Sequence, residues 1–271
     1  MTADEPDWVP PGVDTKRANT ARVYDYWLGG THNFLADQDA ARAVAALDPN
    51  VRVSVQANRA FLGRAIQFLA AAGIRQFLDI GSGIPTEGNV HEIAQKAAPG
   101  ARVVYVDIDP IAVAHSRAIL AGNENATVVQ ADLREPEKIL AEDSIRSLID
   151  FAEPVGLLLS AVLHFIGDDD DPWRITRTLR DAVAPGSYLV LGHVTDEGNP
   201  AVSEAVAKVY KRSVGAGGGR RSRAGILRFF DGFQLVDPGL VFIPEWRPES
   251  PKDVPDDPSK FWLLVGVGRK P

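Results

Sequence analysis

The chain has 271 residues, 45% of them hydrophobic, which is enough for one large domain or for one domain with an elaboration. The net charge of −7 disfavours nucleic-acid binding, because phosphate contacts need clustered lysine and arginine, and the lack of cysteine excludes disulfides, thiolate zinc sites and cysteine nucleophiles. The N-terminus has no signal-peptide pattern and no apolar run approaches the roughly 20 residues that span a bilayer, so we expect a soluble cytoplasmic protein without a membrane partner.

The first part of the chain has an extended arm followed by helical patterns. Prolines oppose helix in the arm, and the later helical pattern is broken at Gly29-Gly30. Apolar residues then recur at helical spacing from Val51 to Ala72. We assign residues 1–56 to an arm and helical lid, and residues 57–271 to the main domain.

After Gly73, apolar runs of strand length alternate with helical stretches. This alternation indicates β-α-β units around a parallel sheet, and the uninterrupted apolar strands fit a sheet that helices cover on both faces. No helix fits between the last two runs, so we expect those strands to pair antiparallel. The strand-like runs are 76–80, 101–106, 126–129, 155–160, 187–191, 233–243 and 261–267.

A glycine loop, Asp79-Ile80-Gly81-Ser82-Gly83, follows the first strand. Ligands of open α/β sheets bind beyond the carboxyl ends of the strands, where a following helix also offers unpaired N–H groups. A glycine pair alone is equally consistent with a tight turn that holds no ligand. We expect that neither Gly81 nor Gly83 tolerates a side chain.

Carboxylates follow the second and third strands. Asp107 is placed to accept both hydroxyls of a ribose, while Asp109, before Pro110, is expected to cap the next helix. Asp132 could accept a hydrogen bond from an exocyclic amine, with Leu133 against a flat ring, or it could simply cap a helix.

Histidines follow the fourth and fifth strands. His164 and His193 could act as bases near neutral pH, although a lone histidine is more often structural. No third ligand lies near them in the sequence, so no metal site is expected. Arg220, Arg221 and Arg223 in the glycine-rich segment could meet an anionic substrate, but we expect them to lie in a solvated, mobile loop.

The ordered set FLDIGSG, VVYVDID, VVQADL, LLLSAVLHF and APGSYLVLGHV, with the closing strand pair, resembles the class I S-adenosylmethionine-dependent methyltransferases. The resemblance implies a Rossmann-like seven-stranded α/β sheet of order 3-2-1-4-5-7-6, with the last strand antiparallel. It also implies S-adenosylmethionine as the cofactor, with the glycine loop on the methionine part, Asp107 on the ribose and Asp132 on the adenine. The cofactor residues so implied are Asp79, Gly81, Ser82, Gly83, Asp107, Ile108, Asp132, Leu133 and Ser160.

The N-terminal block ARVYDYWLGGTHNFLADQDAA, with QANRAFL and IPTEGNVHEIAQ, is similar to a mainly actinobacterial S-adenosyl methyltransferase family, long catalogued as a domain of unknown function. In that family the N-terminal helices cover the cofactor, which suits a lid that excludes water. Arg59 could pair with the cofactor carboxylate or be a surface charge, and Tyr24 is a third candidate base. The residues that we assign to the substrate side and the lid are Arg22, Tyr26, Gly29, Gly30 and Asn33.

The glycine loop departs from both known fingerprints. A methyltransferase loop would have glycine at 85 and a dinucleotide loop would have glycine or alanine at 86, where this chain has Pro85 and Thr86. We expect the proline to stiffen the turn and the threonine to cap the next helix.

The predicted function is methyl transfer to an unidentified small-molecule acceptor. One alternative is a non-catalytic S-adenosylmethionine-binding module. A second is an NAD(P)-linked oxidoreductase, which Thr86 and the lack of a helix between the last two strands disfavour.

Overall fold

The computed structural model describes residues 8–86, 88–197, 200–215 and 219–271. Residues 1–7 of the expected arm, Glu87 and residues 216–218 of the glycine-rich segment lie outside this part of the chain. The strands are β1 (Gln76–Ile80), β2 (Arg102–Asp107), β3 (Ala126–Gln130), β4 (Gly156–Ser160), β5 (Tyr188–Val194), β6 (Gln234–Leu235), β7 (Val241–Phe242) and β8 (Leu263–Arg269). The helices are α1 (Thr20–Leu28), α2 (Leu35–Leu47), α3 (Val51–Ala71), α4 (Val90–Ala97), α5 (Pro110–Ile119), α6 (Pro136–Ala141), α7 (Asp143–Arg146), α8 (Pro172–Ala182), α9 (Pro200–Ser213) and α10 (Arg223–Leu227).

The strands form one sheet of order β3-β2-β1-β4-β5-β8-β6, with β7 also paired to β8. The first five strands are parallel, and β8 runs antiparallel to β5. The predicted order is therefore confirmed, with one refinement: the predicted sixth strand is two short pieces, β6 and β7, that both pair with β8. Pro238 and Gly239 lie between the pieces, and a proline has no N–H to give to a strand ladder.

Two apolar layers cover the sheet, because alternate residues of each strand point to opposite faces. In β1, Phe77 packs into the layer that includes α3 and α4, while Leu78 and Ile80 pack into the layer that includes α8 and α10. Both layers are apolar, as the uninterrupted hydrophobic strands predict. None of the helices in the described part of the chain is long and apolar enough to cross a membrane.

The caps of the helices after β1 and β2 differ in how well the sequence predicted them. Asp109 caps α5 by accepting a hydrogen bond from the Ile111 N–H at 2.8 Å, as predicted. The predicted Thr86 cap is wrong, because α4 begins only at Val90 and Asn89 is its N-cap. Asn89 and Glu92 form a capping box, and the Thr86 N–H donates to the Asn89 side chain at 3.0 Å, so the threonine belongs to the turn.

Helices α1 and α2 pack with α9 in a third apolar cluster, which includes Val23, Trp27, Val44, Val55 and Val209. A helix from the C-terminal half of the chain therefore packs with the first two helices, and we use the name lid for this group of α1, α2 and α9. The predicted boundary at residue 56 lies inside α3, so the segment assigned to the arm and lid shares that helix with the main domain.

Arg22 joins the lid to the sheet through two buried ion pairs. Its Nε lies 3.5 Å from a carboxylate oxygen of Asp37 in α2 and 3.5 Å from one of Asp109 at the start of α5. The three side chains are at most 5% exposed. A buried carboxylate that loses its only cation is strongly destabilising, so the packing of α1 depends on this arginine.

We expect Arg22→Met to lower the free energy of unfolding by about 3 kcal/mol, because it leaves two buried carboxylates without their cation. Urea unfolding followed by circular dichroism measures the change. The matched control is Arg42→Met, which removes an ion pair with Asp39 whose side chains are 53% and 74% exposed. That control should unfold like the parent protein, and equal losses in the two variants would contradict the role given to Arg22.

Candidate functional site

The carboxyl ends of the central strands meet beneath α1 and α9, around a cavity of about 480 Å³. Residues after β1, β2, β3, β4 and β5 all contribute to its wall, as expected for an open α/β sheet. Most of the residues that the sequence singled out come together here. Those that line the cavity are Tyr24, Arg59, Asp79, Gly81, Ser82, Gly83, Asp107, Ile108, Asp132, Leu133, Ser160 and His164.

The glycine loop turns sharply against the end of β2. The Gly81 and Ser82 N–H groups both donate to the Val106 carbonyl, at 2.8 and 3.2 Å. Gly81 has φ +77°, and a Cβ atom there would lie 2.4 Å from Val162 Cγ2. The Ser82 hydroxyl is buried and has no hydrogen-bond partner among the described residues. A buried polar group of this kind is expected to meet a partner, which makes the loop a candidate ligand cradle.

Asp107 ties the loops after β1 and β2 together. Its carboxylate accepts the Gly83 N–H at 2.7 Å through one oxygen and the Asp109 N–H at 2.9 Å through the other. Burial raises its pKa to about 6, while the backbone donors oppose that rise. The next side chain, Ile108, is 51% exposed at the cavity, which is unusual for isoleucine and suits a flat apolar ligand surface.

Asp79 is a second buried acid in the cavity wall. Burial raises its pKa to about 7, the nearby Asp107 adds to the rise, and the charge of Arg59 opposes it. Arg59 lines the same cavity, and its guanidinium donates to the Gly88 carbonyl at 2.9 Å. The wall beside the glycine loop therefore holds two acids whose ionised forms a cationic ligand would favour.

Asp132 is engaged by Arg134 in a two-point contact. Arg134 Nε lies 3.0 and 2.9 Å from the two carboxylate oxygens, and Nη2 lies 2.5 Å from one of them. Burial alone would raise the pKa of Asp132, but this guanidinium outweighs it and lowers the pKa. Leu133 is buried in the adjoining wall. A ligand contact to the Asp132 carboxylate would therefore share it with an arginine.

A hydrogen-bond chain crosses from the end of β4 to the lid. Ser160 Oγ donates to Asn58 Oδ1 at 3.0 Å, Asn58 Nδ2 donates to Tyr24 Oη at 3.0 Å, and Tyr24 donates to the Val55 carbonyl at 3.3 Å. Burial raises the pKa of Tyr24. The sequence analysis missed Asn58, although a polar residue on the apolar stripe of α3 is a signal that could have found it.

The two histidines differ in their access to the cavity. His164 lines it with its Nδ1 buried, which leaves Nε2 as the nitrogen that can meet a ligand, and burial lowers its pKa to about 3. His193 is fully buried: Nδ1 donates to the Val194 carbonyl at 2.7 Å and Nε2 accepts from Arg221 at 2.8 Å. Burial holds the pKa of His193 well below its usual range. Because both its nitrogens are occupied inside the protein, the interpretation of His193 as a catalytic base is corrected.

Arg221 is also placed differently from our expectation. It is only 7% exposed, and besides His193 it donates to the Leu163 and Ile166 carbonyls and pairs with Asp168 at 2.6 Å. It therefore holds the segment after β4 against β5. The expectation of a solvated loop is wrong for this residue, because sequence composition carries no information on such long-range partners.

The residues that we assigned to the substrate side of the lid do not line the cavity. Gly29 is the left-handed C-terminal cap of α1, and a Cβ atom on Gly30 would lie 2.0 Å from the Asp25 carboxylate. Asn33 donates to that same carboxylate at 2.8 Å. These residues shape the turn between α1 and α2, so their predicted contact with a substrate is corrected.

Arg22 and Tyr26 require the same correction. Arg22 is occupied by Asp37 and Asp109, and Tyr26 packs under the guanidinium of Arg52, 5.6 Å from its ring centroid. The helical face of α1 that meets the cavity is instead that of Tyr24 and Trp27. The aromatic pattern predicted a lid, but it did not predict which face of the helix would point inward.

The fold is the Rossmann-like α/β fold found in class I methyltransferases. An O-methyltransferase family protein from Burkholderia thailandensis shares the fold, with 14% identity and a TM-score of 0.51 over 87% of this chain and 61% of that one. None of the curated proteins matches the chain.

Closer similarities define the family. The profile of the S-adenosyl methyltransferase family matches residues 6–271. A candidate methyltransferase from Thermobifida fusca is 43% identical, with a TM-score of 0.92 over 98% of this chain and 99% of that one. A DUF574 family protein from Streptomyces avermitilis is 39% identical, with a TM-score of 0.91 over 95% and 99%. The chain belongs to the S-adenosyl methyltransferase family, and its cofactor is S-adenosylmethionine.

The cavity wall fits this cofactor. The buried and unpartnered Ser82 hydroxyl offers a hydrogen bond, the acids Asp79 and Asp107 suit a ligand with a sulfonium and an ammonium group, and the exposed Ile108 offers an apolar surface to a flat ring. These features lie within one cavity and next to one another along the strand ends.

We expect Gly81→Ala to lower the free energy of unfolding by about 2 kcal/mol or more, because it combines a clash with Val162 and an unfavourable φ. The expectation that Gly83 tolerates no side chain is wrong on steric grounds, because no atom lies within 4 Å of an added Cβ. Its φ of +70° is the remaining cost, so Gly83→Ala should lose only about 1 kcal/mol. Adding Val162→Ala to Gly81→Ala should restore part of the lost stability. Thermal and urea unfolding of the three variants measure these differences, and equal losses at both glycines would contradict the steric explanation.

Proposed function

We propose that this protein is an enzyme that transfers the methyl group of S-adenosylmethionine to an oxygen, nitrogen or carbon nucleophile of a small-molecule acceptor. The observation that supports it is the continuity of the cavity, which extends from the strand-end loops into a space covered by α1 and α9. Ser160 and its partner Asn58 lie where the two parts join. A covered cavity of this kind admits a small molecule more readily than a polymer.

The cofactor side of the cavity would bind through residues of the strand ends. In this proposal Gly81, Ser82 and Gly83 hold the methionine part, Asp107 accepts the ribose hydroxyls, and Ile108 with Leu133 contacts the adenine. When bound, the cofactor supplies an electrophilic methyl group on a positively charged sulfur. The protein then contributes mainly by holding the two reactants in line and excluding water, which can supply a large part of the acceleration.

His164 is the remaining candidate base of the three named from the sequence. With a pKa of about 3 its imidazole is neutral at physiological pH, so Nε2 can accept a hydrogen bond from an acceptor group. Tyr24 has its proton directed to the Val55 carbonyl and its oxygen occupied by Asn58, so it acts here as a positioning residue. In this proposal residues 1–56 and α9 together form the lid.

Calorimetry with S-adenosylmethionine, S-adenosylhomocysteine and NAD tests the cofactor, and methyl transfer from labelled cofactor to a small-molecule extract tests catalysis. Asp107→Asn should weaken binding of both sulfur compounds by about tenfold or more, since an amide cannot accept both N–H groups and the ribose hydroxyls. Asp39→Asn, an exposed change in α2, is the control. Binding of NAD alone would contradict the proposal, and tight cofactor binding without any transfer would favour a sensor.

The affinity for S-adenosylmethionine should rise with pH between about pH 5.5 and about pH 7, by about tenfold. In the free protein Asp79 and Asp107, with pKa values of about 7 and about 6, are largely protonated at the lower pH. A cationic group favours the ionised form of Asp79, and hydroxyls that donate hydrogen bonds favour the ionised form of Asp107, so binding lowers both pKa values and releases protons.

Calorimetry at about pH 6.5 in phosphate and in Tris should reveal this proton release, because the two buffers differ in their heat of protonation. Asp79→Asn should flatten the upper part of the pH dependence without abolishing binding. An affinity that stays constant or increases on acidification would show that these acids do not face the cationic groups.

A further inference from the structure

The part of the cavity beyond Ser160 has an apolar and largely aromatic wall. Tyr24 and Trp27 of α1, Tyr210 of α9 and Phe165 after β4 contribute rings to it, and Val206 adds an aliphatic surface. The Phe165 and Tyr210 ring centroids are 5.4 Å apart with planes at 53°, and those of Trp27 and Tyr210 are 6.5 Å apart at 71°. These rings contact one another, so together they form one aromatic side of the space beyond Ser160, here called the slot, against which another ring can lie.

Few charged side chains reach this part of the wall in the described residues. Asp170 is exposed, and Arg220 donates to the Pro200 carbonyl at 2.8 Å. Asp48 is buried beside the apolar cluster of the lid, where its carboxylate accepts the Asn50 N–H at 2.9 Å and burial raises its pKa. A charged acceptor would lose its hydration here and gain little in return, so the wall favours an uncharged ligand.

One polar group stands at the inner end of the slot. His164 presents Nε2 to the cavity, close in sequence to Ser160 and next to Phe165, whose ring centroid is 4.2 Å from that of the imidazole. Among the described residues no carboxylate pairs with this imidazole, and burial together with the charge of Arg221 disfavours its protonation. It can therefore accept a hydrogen bond from a hydroxyl that enters between the aromatic side chains.

We propose that the methyl acceptor is an uncharged, planar aromatic compound that is methylated on a ring hydroxyl, lying against the wall formed by Phe165 and Tyr210 with the hydroxyl at His164. This inference rests on the proposed methyltransferase function. In the transfer, the methyl carbon forms a bond to the hydroxyl oxygen as its bond to sulfur breaks. The sulfur keeps that electron pair and becomes a neutral thioether, and the hydroxyl proton is released to water, while His164 Nε2 orients the hydroxyl by accepting its hydrogen bond.

A matched series of naphthalene probes tests the class of acceptor. Binding is measured by calorimetry at about pH 7 to the protein saturated with S-adenosylhomocysteine, using naphthol, naphthylmethylammonium, naphthoate and the saturated decahydronaphthol. We expect naphthol to bind at least about tenfold more tightly than either charged analogue, because each charge must be desolvated, and several-fold more tightly than the saturated alcohol. Tighter binding of the cation, as Asp48 would give, or of the anion, or equal binding of all four, overturns the proposal.

Variants locate the binding site of the probe. Tyr210→Leu and Phe165→Leu should each weaken naphthol binding by about threefold to tenfold, while Tyr210→Phe retains it. The matched control is Phe68→Leu in α3, which packs on Tyr188 and Trp246 away from the cavity. Unchanged naphthol binding in both cavity variants would contradict the slot.

The hydroxyl contact has its own test. Naphthol should bind more tightly than naphthalene, and His164→Phe should remove that difference; a difference that persists in the variant contradicts the role of His164. Affinity for S-adenosylhomocysteine shows that each variant remains folded. It also distinguishes a failure of the proposed function from a failure of the proposed acceptor class. If the parent protein does not bind S-adenosylhomocysteine, the proposed function fails. If it binds S-adenosylhomocysteine but does not prefer naphthol, only the acceptor class fails.

Discussion

The site depends on the single residue at the end of β2, Asp107, which holds the loops after three strands. Its two carboxylate oxygens accept the Gly83 and Asp109 N–H groups, and its carbonyl accepts the Ala131 N–H at 3.0 Å. The loops after β1, β2 and β3 are therefore positioned from one point. Because burial disfavours the ionised form of Asp107, the carboxylate holds these N–H groups best when a ligand also favours that form. Cofactor binding is therefore coupled to the order of the loops.

The same strand end also fixes the lid. Asp109, two residues further on, caps α5 with one carboxylate oxygen and faces Arg22 with the other, and Arg22 also pairs with Asp37 in α2. The lid and the cofactor loops thus share a continuous set of buried charges. A second link, from Ser160 through Asn58 to Tyr24, joins the lid to β4. With links on both sides of the cavity, the lid is positioned by the residues that surround the cofactor side.

The sequence predicted the parts of the structure that local patterns determine. Apolar runs predicted the strands, and Asp109-Pro110 predicted the cap of α5, because each signal lies within a few residues of its effect, whereas the strand order came from the family resemblance. Some mistakes are local, such as the Thr86 cap, but three of them concern partners distant in the chain. Arg221 is buried by contacts with the segment after β4, His193 is occupied by that same arginine, and Arg22 is held by acids of two other elements. Nothing in the local sequence reports such contacts.

The two halves of the cavity also differ in how they are built along the chain. The cofactor half consists of strand-end loops, each of which is fixed by its own strand. The other half brings together Trp27 and Tyr210, which are far apart in the sequence, and the apolar cluster of α1, α2 and α9 holds them in place. Substitutions on the inner face of α9 can therefore reshape this half without disturbing Asp107. Under the proposed function, the sheet therefore sets the cofactor site and the covering helices select the acceptor.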